Sequence, residues 1–272
     1  LHPLSIFVYF SAKMMPAMRN LKITLAYDGS AFHGWQIQPG FRTVQETIEH
    51  CLHKILGHAV RVTASGRTDA GVHALGQVIN FRTPSKIPEE GLLKALNSLL
   101  PSDLSARDVL EVAPDFHARK MALSKKYVYV IDTSGIRSPF LSRYVFHLPG
   151  ALDVHAMRRS IEMLNGEQDF SSFMGAGSSV KTTVRKILAT GILERDSRVF
   201  FYIQGSGFLR HMVRNIMGTL IQVGRSMLAP EDMERILALK DRTHAGPTAP
   251  PQGLYLVEVC YKEENPVCAK QD

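Results

Sequence analysis

Cysteine is scarce in this chain, three residues in 272, and tryptophan occurs once. The thiols Cys51, Cys260 and Cys268 neither pair off evenly nor stand in a Cys-x-x-Cys spacing. That excludes a readable disulfide framework or metal knuckle and points to a reducing, cytoplasmic home. Long apolar runs are missing too. Leu4 to Phe10 is mostly apolar but falls far short of the roughly 20 residues a bilayer span needs. It also lacks the preceding basic residue and the small-residue cleavage site of a secretory signal. A soluble protein with no membrane partner is therefore expected. Met14, Met15 and Met18 stand just before the first strand pattern, so residues 1–18 read as a disordered extension from a start codon placed too far upstream. There is no Gly-Lys-Ser/Thr loop, and Gly205-Ser206-Gly207 has Arg210 where a dinucleotide fingerprint needs its third glycine. Nucleotide-cofactor enzymes fit poorly on those grounds.

What the chain does have is positive charge. Lys plus Arg number 32 against 25 Asp plus Glu, a formal +7. Such an excess suits a polyanionic partner, nucleic acid first. Arg119 with Lys120, Lys125 with Lys126, Arg158 with Arg159, and Lys181 with Arg185 and Lys186 form basic clusters. Each alone reads as solvated surface. Together they can line a groove that tracks the backbone of a folded RNA.

At roughly 100–200 residues per domain, the length favours two domains. The boundary is placed at Ala113-Pro114, giving 19–113 and 114–265 with a polar tail at 266–272. Arg19 to Tyr27 alternates as a half-buried strand with Leu21, Ile23 and Leu25 on one side. The loop Asp28 to Gln36 holds the lone Trp35. Thr43 stands three residues before Glu46, a capping-box spacing, ahead of a helix that buries Val44, Ile48, Cys51, Leu52 and Ile55 and ends at Gly57. His50 and His53 lie one turn apart on it, but without a third ligand nearby they read as surface histidines. Strand patterns at Val60–Ala64 and Val78–Phe81 flank a polar loop. Pro88 and Pro101 bracket a helix with Leu92, Leu93, Leu96 and Leu99 as its stripe, and a strand follows at Leu104–Val112.

In the second half, Lys125 to Ile131 is a strand, Asp153 caps a helix stopped by Asn165-Gly166, and 187–194 with 199–204 make a hairpin. Phe208 to Val223 is a helix with Arg210, His211 and Arg214 at its start, where cations oppose the macrodipole. Their placement points to a use other than helix stability. Glu231–Leu239 and Gly253–Tyr261 complete the pattern. The fold class is α+β: two ferredoxin-like α/β sandwiches joined edge to edge into one continuous, mainly antiparallel sheet with a central cleft.

The polar loop between the early strands is the most distinctive stretch. Gly66-Arg67-Thr68-Asp69-Ala70-Gly71-Val72-His73 sets a carboxylate between glycines that can take positive φ and project it into a cleft. Read alone, a Gly-x-x-Asp is a polar turn. The whole run resembles the signature loop of the tRNA pseudouridine synthase A family, and so do Asp28 to Gln36, the Tyr127 strand, His211-Met212-Val213-Arg214-Asn215 and Gly253-Leu254-Tyr255-Leu256-Val257. The likeness extends from about Asn20 to Tyr261. It implies the pseudouridine synthase fold and an isomerase that needs no cofactor. It also implies a homodimer with RNA across both subunits, and as substrate the anticodon stem-loop of tRNA, at uridines 38, 39 and 40.

The same resemblance makes Asp69 the catalytic residue and Arg214 the arginine paired with it. Tyr127 becomes the ring that stacks on the extruded uracil, Arg67 the side chain filling the gap it leaves, and Leu254 an apolar pocket wall. The chemistry agrees with those residue types. A carboxylate can attack C1′ or deprotonate C2′, a neighbouring cation keeps it ionised in a dry site, and a base inside a stem must be flipped out first. Two rivals remain. A non-catalytic RNA-binding module lacks its Gly-Phe-x-Phe strand here, and a glycosidase lacks a second carboxylate of comparable context.

Overall fold

Among the described residues, ten strands form one sheet. The computed structural model describes residues 18–177 and 180–262. The expected extension 1–18, apart from Met18, and the tail 266–272 lie outside them. The first half supplies β1 (Arg19–Tyr27), β2 (Thr63–Ala64), β3 (His73–Thr83) and β4 (Leu104–Val112), with helices α1 (Val44–Leu56) and α2 (Glu89–Leu99). The second supplies β5 (Ser124–Asp132), β6 (Phe146–His147), β7 (Gly166–Asp169), β8 (Val184–Arg195), β9 (Arg198–Gly205) and β10 (Leu254–Cys260). Its helices are α3 (Val154–Glu162), α4 (Met212–Gly224) and α5 (Asp232–Leu239).

The strand order is β4-β1-β3-β10-β5-β9-β8-β7, with β2 beside β3 and β6 beside β5. All ladders are antiparallel except β10 with β3 and β5 with β6. The last strand therefore returns to the middle of the sheet. It pairs Tyr255 and Leu256 with His73 and Ala74 at the end of the polar loop, and Leu254 and Leu256 with Tyr129 and Tyr127 on the other side. That double pairing fixes the Asp69 loop against the Tyr127 strand. A parallel ladder needs no tight turn, so a strand remote in sequence can fill this slot.

Period-2 alternation forms β1, whose Leu21, Ile23 and Leu25 are buried. Period-3.6 spacing forms α1, whose Ile48 and Leu52 lie wholly inside. Each such side chain contributes about 1.5–3 kcal/mol of transfer free energy. Gly57 closes α1 in the left-handed region at φ 73°. Asp153 caps α3 by accepting from the Ala156 N–H at 2.8 Å.

Several local expectations fail. The Thr43 hydroxyl makes no cap bond and is buried without a hydrogen-bond partner, because packing under the sheet overrides the capping box. On α2 only Leu92 and Leu96 are buried, and Leu99 is exposed at the helix end. Residues 208–211 stand outside α4, which starts at Met212 after a left-handed His211. No helix among the described residues is long and apolar enough to cross a membrane. None of their His, Cys, Asp and Glu side chains form a group that could hold a metal ion.

Candidate active site

The Asp69 loop is held by the glycine-rich loop beneath it rather than by its own sequence. Trp35 N–H donates to the Thr68 carbonyl at 3.0 Å and Gly71 N–H to the Phe32 carbonyl at 3.3 Å. The Tyr27 and Thr68 hydroxyls share a hydrogen bond of 2.8 Å. Within the loop, Val72 N–H closes a turn on the Asp69 carbonyl at 3.1 Å, with Gly71 at φ 77°. Gly66 keeps an ordinary φ, so of the two flanking glycines only Gly71 uses the left-handed region. Gly34 matters as much. At φ 83° its backbone lies so close that a Cβ would sit 2.8 Å from the Thr68 carbonyl oxygen.

Across the cleft, the start of α4 presents Arg214. Its Nη1 donates to Asp69 Oδ2 at 3.1 Å and its Nε to the Ala249 carbonyl at 2.8 Å. Ala249 N–H returns a bond to the Arg214 carbonyl at 3.0 Å, which locks both ends of the arginine to one residue. The guanidinium is mostly buried, at 14 % side-chain exposure against 30 % for Asp69. The pair is therefore screened less than a surface ion pair. Oδ2 also faces His211 Nε2 at 3.6 Å. Among the described residues, Oδ1 accepts no hydrogen bond.

The remaining wall is apolar. Tyr127 is buried, packs edge-on against Phe208 with ring centroids 5.0 Å apart, and stands beside Leu254. Burial first, then the phenol of Tyr27 and the charge of Asp69, push the Tyr127 hydroxyl far above the ordinary phenol range. Its ring therefore acts as a neutral surface at every physiological pH. Tyr129, two residues on, is fully inside and donates to the Pro250 carbonyl at 2.8 Å. Arg67 is exposed at the rim.

One cavity is thus lined by all five side chains singled out in the sequence: Asp69, Arg67, Tyr127, Arg214 and Leu254. His211, noted there for its place at the helix start, lines the cavity as well. Two contributors were not singled out: Phe208, which also lines it, and Ala249, in a proline-rich segment, Pro247 to Pro251, that anchors Arg214 and Tyr129. The repeated prolines before β10 were the available signal, since they mark an ordered, non-helical connection.

The comparison with known proteins bears directly on this cavity, because all of its residues but Tyr127 fall within the matched regions. A family model described as tRNA pseudouridine synthase matches residues 23–119 and 161–262. The chain belongs to that family. Membership makes it an isomerase. A tRNA pseudouridine synthase A from Caldicellulosiruptor saccharolyticus is 47% identical over 244 residues, covering 90% of this chain and 100% of that protein. One from Moorella thermoacetica is 47% identical over 243 residues, covering 89% and 99%. Among solved structures, the crystal structure of an archaeal box H/ACA sRNP Nop10-Cbf5 complex covers 74% of this chain and 44% of its own, at 14% identity and a TM-score of 0.35. That likeness is too slight to carry weight.

Proposed function

We propose that this family member isomerises uridines 38, 39 and 40 of the tRNA anticodon stem-loop to pseudouridine, with Asp69 as the nucleophile. The observation that carries the reading is the Arg214–Asp69 pair at 3.1 Å in a cavity walled by Tyr127 and Leu254. Among the described residues Oδ1 has no hydrogen-bond partner, while Oδ2 is held by a guanidinium whose Nε is fixed elsewhere. That arrangement supports attack at ribose C1′, because Oδ1 needs to break no hydrogen bond to react. The bond from C1′ to N1 breaks, the detached base turns against Tyr127, and C5 joins C1′ as Asp69 leaves.

No electrons are exchanged and no group departs, so no cofactor is required. Tyr127 and Leu254 would retain the base, and Arg67 at the rim would fill the space left in the stem or contact a phosphate. The two halves of the sheet, 19–113 and 114–265, act on this reading as two domains that meet at β10. A homodimer carrying RNA across both subunits belongs to the same reading, in keeping with the basic clusters.

Mapping pseudouridines in unmodified tRNA after incubation with the purified protein tests the function. Conversion confined to the three stem positions is expected, and conversion elsewhere only would refute the substrate assignment. A primary deuterium effect from the ribose 2′ position, absent for attack at C1′, would transfer Asp69 to the role of base at C2′.

A further inference from the structure

The isomerisation leaves a proton to be moved. When C5 bonds to C1′, C5 still carries its hydrogen and N1 carries none. The product needs the reverse, so a base must take the C5 proton while N1 gains one from solvent. Resting on the function proposed above, we propose that His211 is the base that removes the C5 proton.

Three groups lining the cavity could accept a proton: Asp69, the Tyr127 phenolate and His211. The phenol is held protonated by burial. Asp69 is released from C1′ only as C5 takes its place, and its Oδ2 is then still engaged by Arg214. His211 Nε2 stands 3.6 Å from Asp69 Oδ2. His211 lines the same cavity as Tyr127, so a base turned against that ring can present its C5 hydrogen to the imidazole. The released carboxylate recovers its negative charge at the same instant. It then stabilises the imidazolium that forms.

The local fold goes to some length to place this ring. His211 occupies the left-handed region at φ 59°, a conformation that costs a non-glycine residue about 1–2 kcal/mol. It stands at the N-cap of α4 yet gives its side chain to no capping bond. Gly175 leaves room for it, since a Cβ there would lie 2.7 Å from Nδ1. Strain without a capping return is a feature of residues positioned for chemistry. Burial and the cations of Arg214, Arg210 and Arg242 hold the imidazole below its usual range, against the opposing pull of Asp69. It is therefore neutral near pH 7, and a neutral imidazole has one ring nitrogen open to accept a proton.

The test uses single-turnover conversion of tRNA bearing hydrogen or deuterium at uridine C5. His211→Asn is the first variant, since asparagine tolerates the left-handed backbone, and His211→Gln is the second. Both are expected to slow conversion by about 10²-fold or more, to bind tRNA as the wild type does, and to acquire a several-fold deuterium effect. Added imidazole should restore part of the rate. In the wild type, which does not depend on any variant folding, the deuterium effect should grow as pH falls below the ordinary imidazole range. A slowed variant with no gain in deuterium effect would overturn the assignment and leave the proton to Asp69. So would variants within about threefold of wild type, below the range of general-base catalysis. Failure of the wild type to convert uridine at all would instead refute the underlying function.

Discussion

Arg214→Ala should separate chemistry from binding. The side chain makes two bonds, one to Asp69 Oδ2 at 3.1 Å and one to the Ala249 carbonyl at 2.8 Å. The first supports the charge that Asp69 recovers as it leaves C1′, and the second fixes the angle at which the guanidinium meets the carboxylate. Loss of one pre-set donor of this kind costs about 10²–10³ in rate, or roughly 2.7–4 kcal/mol. Affinity for tRNA rests mainly on phosphate contacts spread over the basic surface, so it should change less than about threefold. Arg214→Lys keeps the charge but cannot make both bonds from one rigid plane, and should fall between. The assay is single-turnover pseudouridine formation with enzyme in excess, alongside tRNA binding at fixed salt. A rate loss under about tenfold, or a loss wholly accounted for by weaker binding, would refute the reasoning.

Gly34→Ala forces a Cβ to within 2.8 Å of the Thr68 carbonyl oxygen at φ 83°, so it should lower stability by about 2 kcal/mol or more, read as a shift in the denaturant midpoint. Thr43→Val should be neutral or stabilising, because the buried hydroxyl it removes has no hydrogen-bond partner. Asp153→Ala, by contrast, loses a working cap and about 0.5–2 kcal/mol, and equal effects from the two variants would contradict the difference seen in their side chains. Burial raises the phenols of Tyr27, Tyr127 and Tyr129 above the ordinary value, Tyr27 to about 12. Folding then holds these protons more tightly, so the stabilisation is complete below pH 10 and is lost as pH rises through the folded values. Tyr27 alone should account for about 1.4 kcal/mol by pH 11, measured by denaturant unfolding at pH 9 and 11.

The strands and helices were largely legible because their periods are local. The alternation of Leu21, Ile23 and Leu25 and the Asp153 cap depend on neighbours a few residues away. The place of β10 was not. Its parallel pairing of Tyr255 with His73 joins residues from opposite halves of the chain, and no spacing rule encodes it. The contact of Arg214 with Asp69 is likewise beyond periodicity, and entered as an expectation only through the family motifs. Thr43 shows the opposite failure: a correct local signature overruled by packing. At His211 the helix pattern ran smoothly through the residue, so the left-handed turn that aims its ring could be read only from the folded backbone.

The central claim is that one carboxylate carries the reaction, and Asp69→Asn tests it with the least change of shape. The amide can still accept from Arg214, and the loop bonds to Trp35 and Gly71 use backbone atoms alone. Under single turnover the account predicts no detectable pseudouridine, with tRNA affinity within about threefold of wild type, as expected when binding rests on the phosphate backbone. Pseudouridine formed at a wild-type rate by the asparagine variant would contradict it.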